Sequence, residues 1–250
     1  VIDLSCLIRE MNRGFCGVPY EAGEERGYSL DTLPQEYPTF GVGDYRTACL
    51  HAVHEDGSQA AELPYVSHRI YDGRYQLPGL PSVRASGTEA QTLEILLRDK
   101  SSELEVVLYY GVLEQADVIT RACRIQNRGK TPVRLLRALT CCVDLPDGNM
   151  DLISFHGRHA MERNVQRTRI PHGRLSVGST RGTSSHQSNP FVILCDPDAG
   201  EEWGNCYGMT FVYSGNFSFE AEKAQFNQTR VMMGLEDELF RYPLGCGERL

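Results

Sequence analysis

The feature that most constrains this chain is a succession of short apolar or alternating segments from Leu93 to Leu235, each closed by a turn signal. Leu93, Ile95 and Leu97 alternate with Glu94 and Arg98, and Asp99-Lys100-Ser101-Ser102 supplies a turn before LEVVLYYGV. Helix formers are common there, but β-branched and aromatic residues crowd the second arm, so a hairpin is predicted. VITRACRIQ follows, then the turn Asn127-Arg128-Gly129-Lys130 and PVRLLRALTCCVDLP. The two-residue period of a strand places Val133, Leu135, Arg137, Leu139, Cys141 and Val143 on one face. PFVILCD, YGMTFVYS, FSFEAEKAQF and TRVMMGL read as further strands. Many short strands, Gly-rich turns and almost no helix predict an all-β sandwich. No repeat of about 20–50 residues is visible, which opposes a propeller or solenoid.

The amino-terminal part reads differently. Ile2, Leu4, Leu7, Ile8 and Met11 fall near a 3.6-residue period with Asp3 as a possible cap, which predicts a short helix. From Gly14 to Arg46, prolines, glycines and aromatics occur without a sustained period, so a long ordered loop wrapping the body is expected. Such loops are uncommon in compact domains unless they have a task.

Composition narrows the function. Asp+Glu number 33 against Lys+Arg 25, a net charge of −8, which opposes a nucleic-acid partner because phosphates require a basic face. No apolar run approaches the roughly 18 residues of a membrane span. The opening VIDLSCLIREMNR lacks the order of a signal peptide and reads as an internal segment. Of nine cysteines none form Cys-x-x-Cys. Cys141 and Cys142 suit opposite faces of a strand, and Cys123, Cys141 and Cys195 lie in apolar runs. Reduced thiols in a cytoplasm are therefore expected. The Asn216 and Asn227 sequons are then chance matches.

Motifs that carry chemistry alone are scarce. Neither phosphate-binding glycine pattern is present, and no Gly-x-Ser-x-Gly elbow occurs. His51/His54 and His156/His159 are spaced i,i+3, but no acidic or cysteine set completes a metal site, so solvated or hydrogen-bonded histidines and no cofactor are expected. Asp44 and Arg46, two apart on an extended segment, point to one side; they could clasp a polyol's hydroxyls or anchor the loop by a salt bridge. Ser184 to Pro190 contains a Ser-His pair, expected to satisfy backbone groups of a buried loop. Tyr213 to Phe217 is turn chemistry. Read this way, the chain is a β-sandwich domain without a self-evident active site.

Taken together, several stretches resemble the amino-terminal domain of glycoside hydrolase family 36 α-galactosidases. They are Arg26-Gly27-Tyr28-Ser29-Leu30-Asp31-Thr32-Leu33-Pro34-Gln35-Glu36-Tyr37-Pro38, Gly43-Asp44-Tyr45-Arg46, His68-Arg69-Ile70-Tyr71 and Leu77-Pro78-Gly79-Leu80-Pro81. VITRACRIQNRG with LLRALTCCVDLP, SSHQSNPF, and VYSGNF with TRVMMG continue the resemblance, in order, over nearly the whole chain. It implies a β-supersandwich, a galactose-mutarotase-like sandwich of two layers, followed by a (β/α)8 barrel and a small carboxy-terminal β domain. It also implies that the barrel supplies an Asp nucleophile and an Asp acid/base for retaining hydrolysis of terminal α-galactosides of the melibiose and raffinose type. Neither is expected here: the Lys-Trp-Asp-type strand is absent, and the only tryptophan is Trp203. Residues 1–250 are thus expected to be one non-catalytic domain, incomplete at both ends, that shapes the pocket rim and the oligomer interface.

The resemblance also marks two substrate-binding positions. An acidic residue before a Phe corresponds to Asn12, in Glu10-Met11-Asn12-Arg13-Gly14-Phe15, and an Arg before the aromatic-Ser-Leu-Asp-Thr run corresponds to Arg26. Arg26 keeps the pattern. Asn12 departs from it, since an amide keeps one acceptor, loses the charge and adds two donors. Gly17-Val18-Pro19 stands where Pro-Asn-Pro is common, and Gly157-Arg158-His159 stands at a Gly-x-Trp stretch. The implied partners are the α-galactoside, the chain's own barrel and other copies in a tetramer, with no nucleic acid and no membrane. The alternative is a carbohydrate-binding or scaffolding sandwich without an active catalytic partner.

Overall fold

The computed structural model describes residue 30, residues 33–83 and residues 90–250. The predicted helix over 2–11 and the first part of the predicted loop lie outside these residues. The strands are β1 Leu50–Val53, β2 Tyr65–Asp72, β3 Gln91–Arg98, β4 Leu104–Leu113, β5 Val118–Asn127, β6 Val133–Leu145 and β7 Asp151–Arg158. They continue as β8 Met161–Arg169, β9 Gly173–Ser179, β10 Ser188–Cys195, β11 Cys206–Thr210, β12 Phe217–Lys223, β13 Thr229–Leu235 and β14 Tyr242–Leu244. The all-β supersandwich is the observed class.

The hairpin of β3 and β4 forms as its alternation requires, with Leu97 opposite Val106. Asp99 closes it, its Oδ1 accepting from Ser101 N at 2.7 Å and Ser101 Oγ at 2.6 Å, the local bonding that makes Asp a turn residue. β2-β3-β4-β5 form one antiparallel sheet. At Asn127 the chain leaves it. The buried Asn127 amide donates to Thr131 O at 2.8 Å and Leu244 O at 3.0 Å, and its carbonyl accepts from Gly129 N. β6 therefore opens a new sheet, ordered β1-β6-β13-β12 with β14 also on β6. A third sheet runs β11-β10-β7-β8, and β9 lies against β12, joined by a parallel bridge between His172 and Lys223.

The central sheet is apolar on both faces. Leu50, Leu135, Leu139, Cys142 and Met232 pack with Leu93, Ile95, Val106 and Leu108 of the first sheet. Phe219, Ala221, Val231 and Met233 pack with Leu152, Val192 and Leu194 of the third. The described strands of the supersandwich fall into three hydrogen-bonded sheets, and β13 buries both Met232 and its neighbours Val231 and Met233.

One face assignment on β6 is also corrected. The register slips opposite His51/Ala52 and again opposite Met233/Gly234, and each bulge inverts the alternation beyond it. Val133, Leu135 and Leu139 join the first core, Val143 packs in the second, and Arg137 pairs with Glu220 and Asp237. The second slip rests on Gly234, where a Cβ would stand 2.6 Å from Leu139 Cα. β7 and β8, not anticipated as strands, form a hairpin whose second arm is largely exposed; such a strand has no apolar alternation to read. The Ser184–Pro190 segment lies at the surface rather than in a buried loop, with Ser185 Oγ accepting from Gln187 N.

Paired carboxylates across the sheets set the acid response. Glu105 is held by Arg98 and Arg128, Asp151 by Arg167 and Arg169, and Glu94 by Arg69. Burial opposes the charge on each, yet these hydrogen bonds outweigh it and hold all three carboxyls below their ordinary values of 4.5, 3.8 and 4.5 in that order. Groups with depressed folded pKa stabilise fully above the unfolded value, and that contribution is lost as pH falls through the folded value. Glu36 and Glu236 act with the opposite sign, because burial pushes them up. With three groups against two, the melting temperature is expected to fall as pH is lowered from about 6 to about 3. A thermal series over that range checks this, and a flat or rising profile would contradict it.

Candidate functional site

The segment from Leu33 to Thr47 has no regular strand beyond a bridge of Thr39 to Leu50. It is held instead by side chains. Gln35 N donates to Asp144 Oδ2 at 2.8 Å, Tyr37 Oη donates to Leu139 O at 3.0 Å, and Thr39 Oγ1 donates to Ala61 O at 2.5 Å. Burial pushes the Tyr37 hydroxyl well above its ordinary range, which keeps it a donor. Glu36 pairs with Arg121 at 2.8 Å, and the Arg121 guanidinium lies 4.3 Å over the Tyr110 ring while Nη1 donates to Cys142 O. This is the wrapping loop expected from the sequence, over the part that is described.

At its end sits a four-charge cluster. Asp44 Oδ2 accepts from Arg46 Nη2 at 2.8 Å and from Arg230 Nη2 at 2.9 Å. Asp44 Oδ1 accepts from Arg46 N and Nε, each at 3.0 Å. Arg230 turns its other edge to Asp144, with Nε to Oδ1 and Nη2 to Oδ2 both at 2.7 Å, and gives Nη1 to Thr47 O at 3.0 Å. Thr47 in turn donates N and Oγ1 to Glu222 Oε2. The Arg230 side chain is 0% exposed, and Asp44 and Asp144 are 1% and 5%. Burial disfavours the Arg230 charge, but its hydrogen bonds to Asp144 and the surrounding negative charges prevail and raise it. Two Asp and two Arg balance, as a buried cluster must.

The cluster settles one alternative left open above. Asp44 and Arg46 clasp each other and the protein, not a ligand. Arg46 Nη2 also grips the carbonyls of Leu30 at 3.2 Å and Leu33 at 2.6 Å. It therefore ties Leu30 and Leu33 to the body. Arg26 and Asn12 themselves lie outside the described residues. Asp144 and Arg230 went unnoticed in the sequence, although a legible signal existed. Each is a charge in an otherwise apolar strand, CCVDLP and TRVMMG, and a charge buried there needs a partner.

The other candidate residues are placed as follows. His51 stacks on Phe40 at 4.3 Å and bonds Gln59, and His54 Nε2 lies 3.2 Å from Ala60 O. His159 occupies the exposed turn between β7 and β8. Among the described residues no group of His, Cys, Asp or Glu could hold a metal ion. A groove of about 450 Å³ runs between the sheets, lined by Tyr75, Leu80, Val118, Ile119, Met209 and Tyr213. Its walls are mostly apolar and include one carboxylate, Asp117, whereas glycoside hydrolysis needs two facing carboxyl groups. Asp44 and Asp144 are saturated by arginine and cannot serve as acid or nucleophile.

No facing carboxyl pair is thus assigned among the described residues, and comparison with known proteins gives the context. A family model described as the glycosyl hydrolase family 36 N-terminal domain matches residues 10–245. The bifunctional alpha-galactosidase/sucrose kinase AgaSK of Mediterraneibacter gnavus is 55% identical over 98% of this chain and 26% of its own length. Alpha-galactosidase AgaA of Geobacillus stearothermophilus is 43% identical over 90% of this chain and 31% of its own. Among solved structures, the galactosidase domain of AgaSK superposes with a TM-score of 0.89 at 55% identity, covering 95% of this chain and 33% of that one. A variant of AgaA in complex with raffinose superposes with a TM-score of 0.90 at 40% identity, covering 100% of this chain and 35% of that one. The chain thus spans roughly a third or less of the relatives it matches.

Proposed function

The chain belongs to the glycosyl hydrolase family 36 N-terminal domain, and we propose that it is the non-catalytic amino-terminal module of a retaining α-galactosidase. The observation that carries this reading is the family match over residues 10–245, together with similarity to alpha-galactosidases about three to four times as long. The substrates are terminal α-galactosides of the melibiose and raffinose type, in keeping with the raffinose held by the AgaA variant. A barrel in the same polypeptide supplies the two Asp residues, and no cofactor is required for double displacement.

The module's task is to shape the pocket rim. Arg26 presents a planar fork of donors to sugar hydroxyls or to a catalytic carboxylate, and Asn12 offers an amide at the same subsite. The Asp44–Arg46–Asp144–Arg230 cluster supports this role by holding the backbone at Leu30 and Leu33. Copies assemble as a tetramer; the half-exposed Val66 and Ile70 of edge strand β2 are suited to such packing. Seven described cysteines are free thiols, which fits a cytoplasmic location.

The test is hydrolysis of p-nitrophenyl α-galactoside by the full-length protein, with residues 1–250 as control. Activity in the full-length protein and none in the fragment is expected. Silence in both would replace this reading with that of a carbohydrate-binding or scaffolding module.

A further inference from the structure

Outside the features above, the molecule holds two cysteines in an unusual relation. Cys195 ends β10 and Cys206 begins β11, and the two are register partners. Asp196 N donates to Asn205 O at 3.1 Å, and Phe211 N donates to Pro190 O at 2.9 Å. These bonds mark the hydrogen-bonded pairs of the ladder. Alternation along an antiparallel pair then makes Cys195–Cys206 a non-hydrogen-bonded pair, whose Cα atoms stand about 4.5 Å apart. That spacing lies within the roughly 4.4–6.8 Å range of disulfides. Both side chains project to one face of the sheet, and Cys206 adds to the upward push that burial exerts on the Cys195 thiol.

The surroundings distinguish the two sulfurs. Val192 and Leu194 point into the core, so Cys195 faces outward, yet it is 0% exposed while Cys206 is exposed. The loop from Asp196 to Asn205 is fixed: Asn205 N and Nδ2 donate to Asp196 Oδ2, and Trp203 Nε1 donates to Asp198 O. Arg167 is pinned beside the pair by bonds to Asp151, Asp196 O, Pro197 O and Ala199 O. Burial pushes the Cys195 thiol up, and the Arg167 guanidinium opposes that push. By contrast, Cys49 and Cys142 are both sealed in the first core.

From this geometry we propose that Cys195 and Cys206 are a modification site, a cross-strand dithiol that a peroxide oxidises to a reversible disulfide. The exposed Cys206 gives up its proton and the thiolate attacks one peroxide oxygen; the O–O bond breaks, the hydroxide expelled takes up that proton and leaves as water, and Cys206 becomes a sulfenic acid. The Cys195 sulfur then attacks the Cys206 sulfur and the S–O bond breaks. The hydroxide expelled takes the Cys195 proton and leaves as a second water. Two thiols lose two hydrogens and two electrons, and one hydrogen peroxide becomes two waters. The product ties edge strand β11 to β10, and a dithiol restores the starting state.

The sequence between Arg181 and Lys223 contains no other Lys or Arg and no other cysteine, so trypsin releases both thiols in one peptide, 182–223. The full-length protein is treated with hydrogen peroxide, alkylated and digested. The expected peptide 182–223 carries no alkyl label and is two hydrogens lighter than its dithiol form. Cleavage at Glu201 and Glu202 leaves its halves joined until dithiothreitol separates them. Cys206→Ser abolishes that product, whereas Cys246→Ser, at another exposed cysteine, retains it. The proposal is overturned if both thiols remain alkylated after oxidation. It is equally overturned if Cys206 is recovered as a sulfinic acid or in an intermolecular disulfide while Cys195 still takes the label.

Discussion

Replacement of Arg230 by methionine is expected to destabilise the domain by about 3–5 kcal/mol, the cost of leaving a buried charge without its partner. Arg230 meets Asp144 through two nitrogens and Asp44 through one, with its side chain 0% exposed. Methionine fills most of the volume, so the loss is electrostatic rather than a cavity. It strands Asp44 and Asp144 with Arg46 alone, which stands 3.4 Å from Asp144. Urea denaturation reads the effect as a lower midpoint at unchanged slope. The double variant Arg230→Met/Asp144→Asn should recover part of the loss, because it removes one uncompensated carboxylate. A single-variant loss under about 1 kcal/mol, the value of an exposed pair, would mean that water reaches the cluster.

In the full-length enzyme, Arg26→Ala is expected to lower kcat/KM by about 10- to 100-fold, or roughly 1.4–2.8 kcal/mol. The guanidinium offers five donors in a fixed plane; alanine leaves the sugar hydroxyls or the neighbouring carboxylate they served unpaired. The reading predicts a kinetic change with little shift in melting temperature. Intact kinetics with a lowered melting temperature would instead assign Arg26 to holding the loop. The two substitutions therefore separate the anchor from the rim it supports.

The strands were legible wherever one face is buried and the other is not. Leu93, Ile95 and Leu97 against Glu94 and Arg98 declared β3, and the Asp99 turn declared its partner, because a two-residue period and a local side-chain bond are properties of adjacent residues. Asn12 and Arg26, proposed for the pocket rim, were marked only through family resemblance. Other features depend on partners far apart in the chain. β8 faces outward and carries no apolar period, so only pairing with β7 reveals it. The faces of β6 are decided by bulges opposite β1 and β13. Asp44 and Arg46 could have met a ligand or each other until Arg230, 186 residues away, and Asp144 closed around them. The sequence by itself determined an all-β chain of known family, since both follow from short-range pattern. Which charges are buried together, which faces of the central sheet are covered and which thiols stand opposite each other were decided by tertiary structure alone, because burial is a property of the assembled layers.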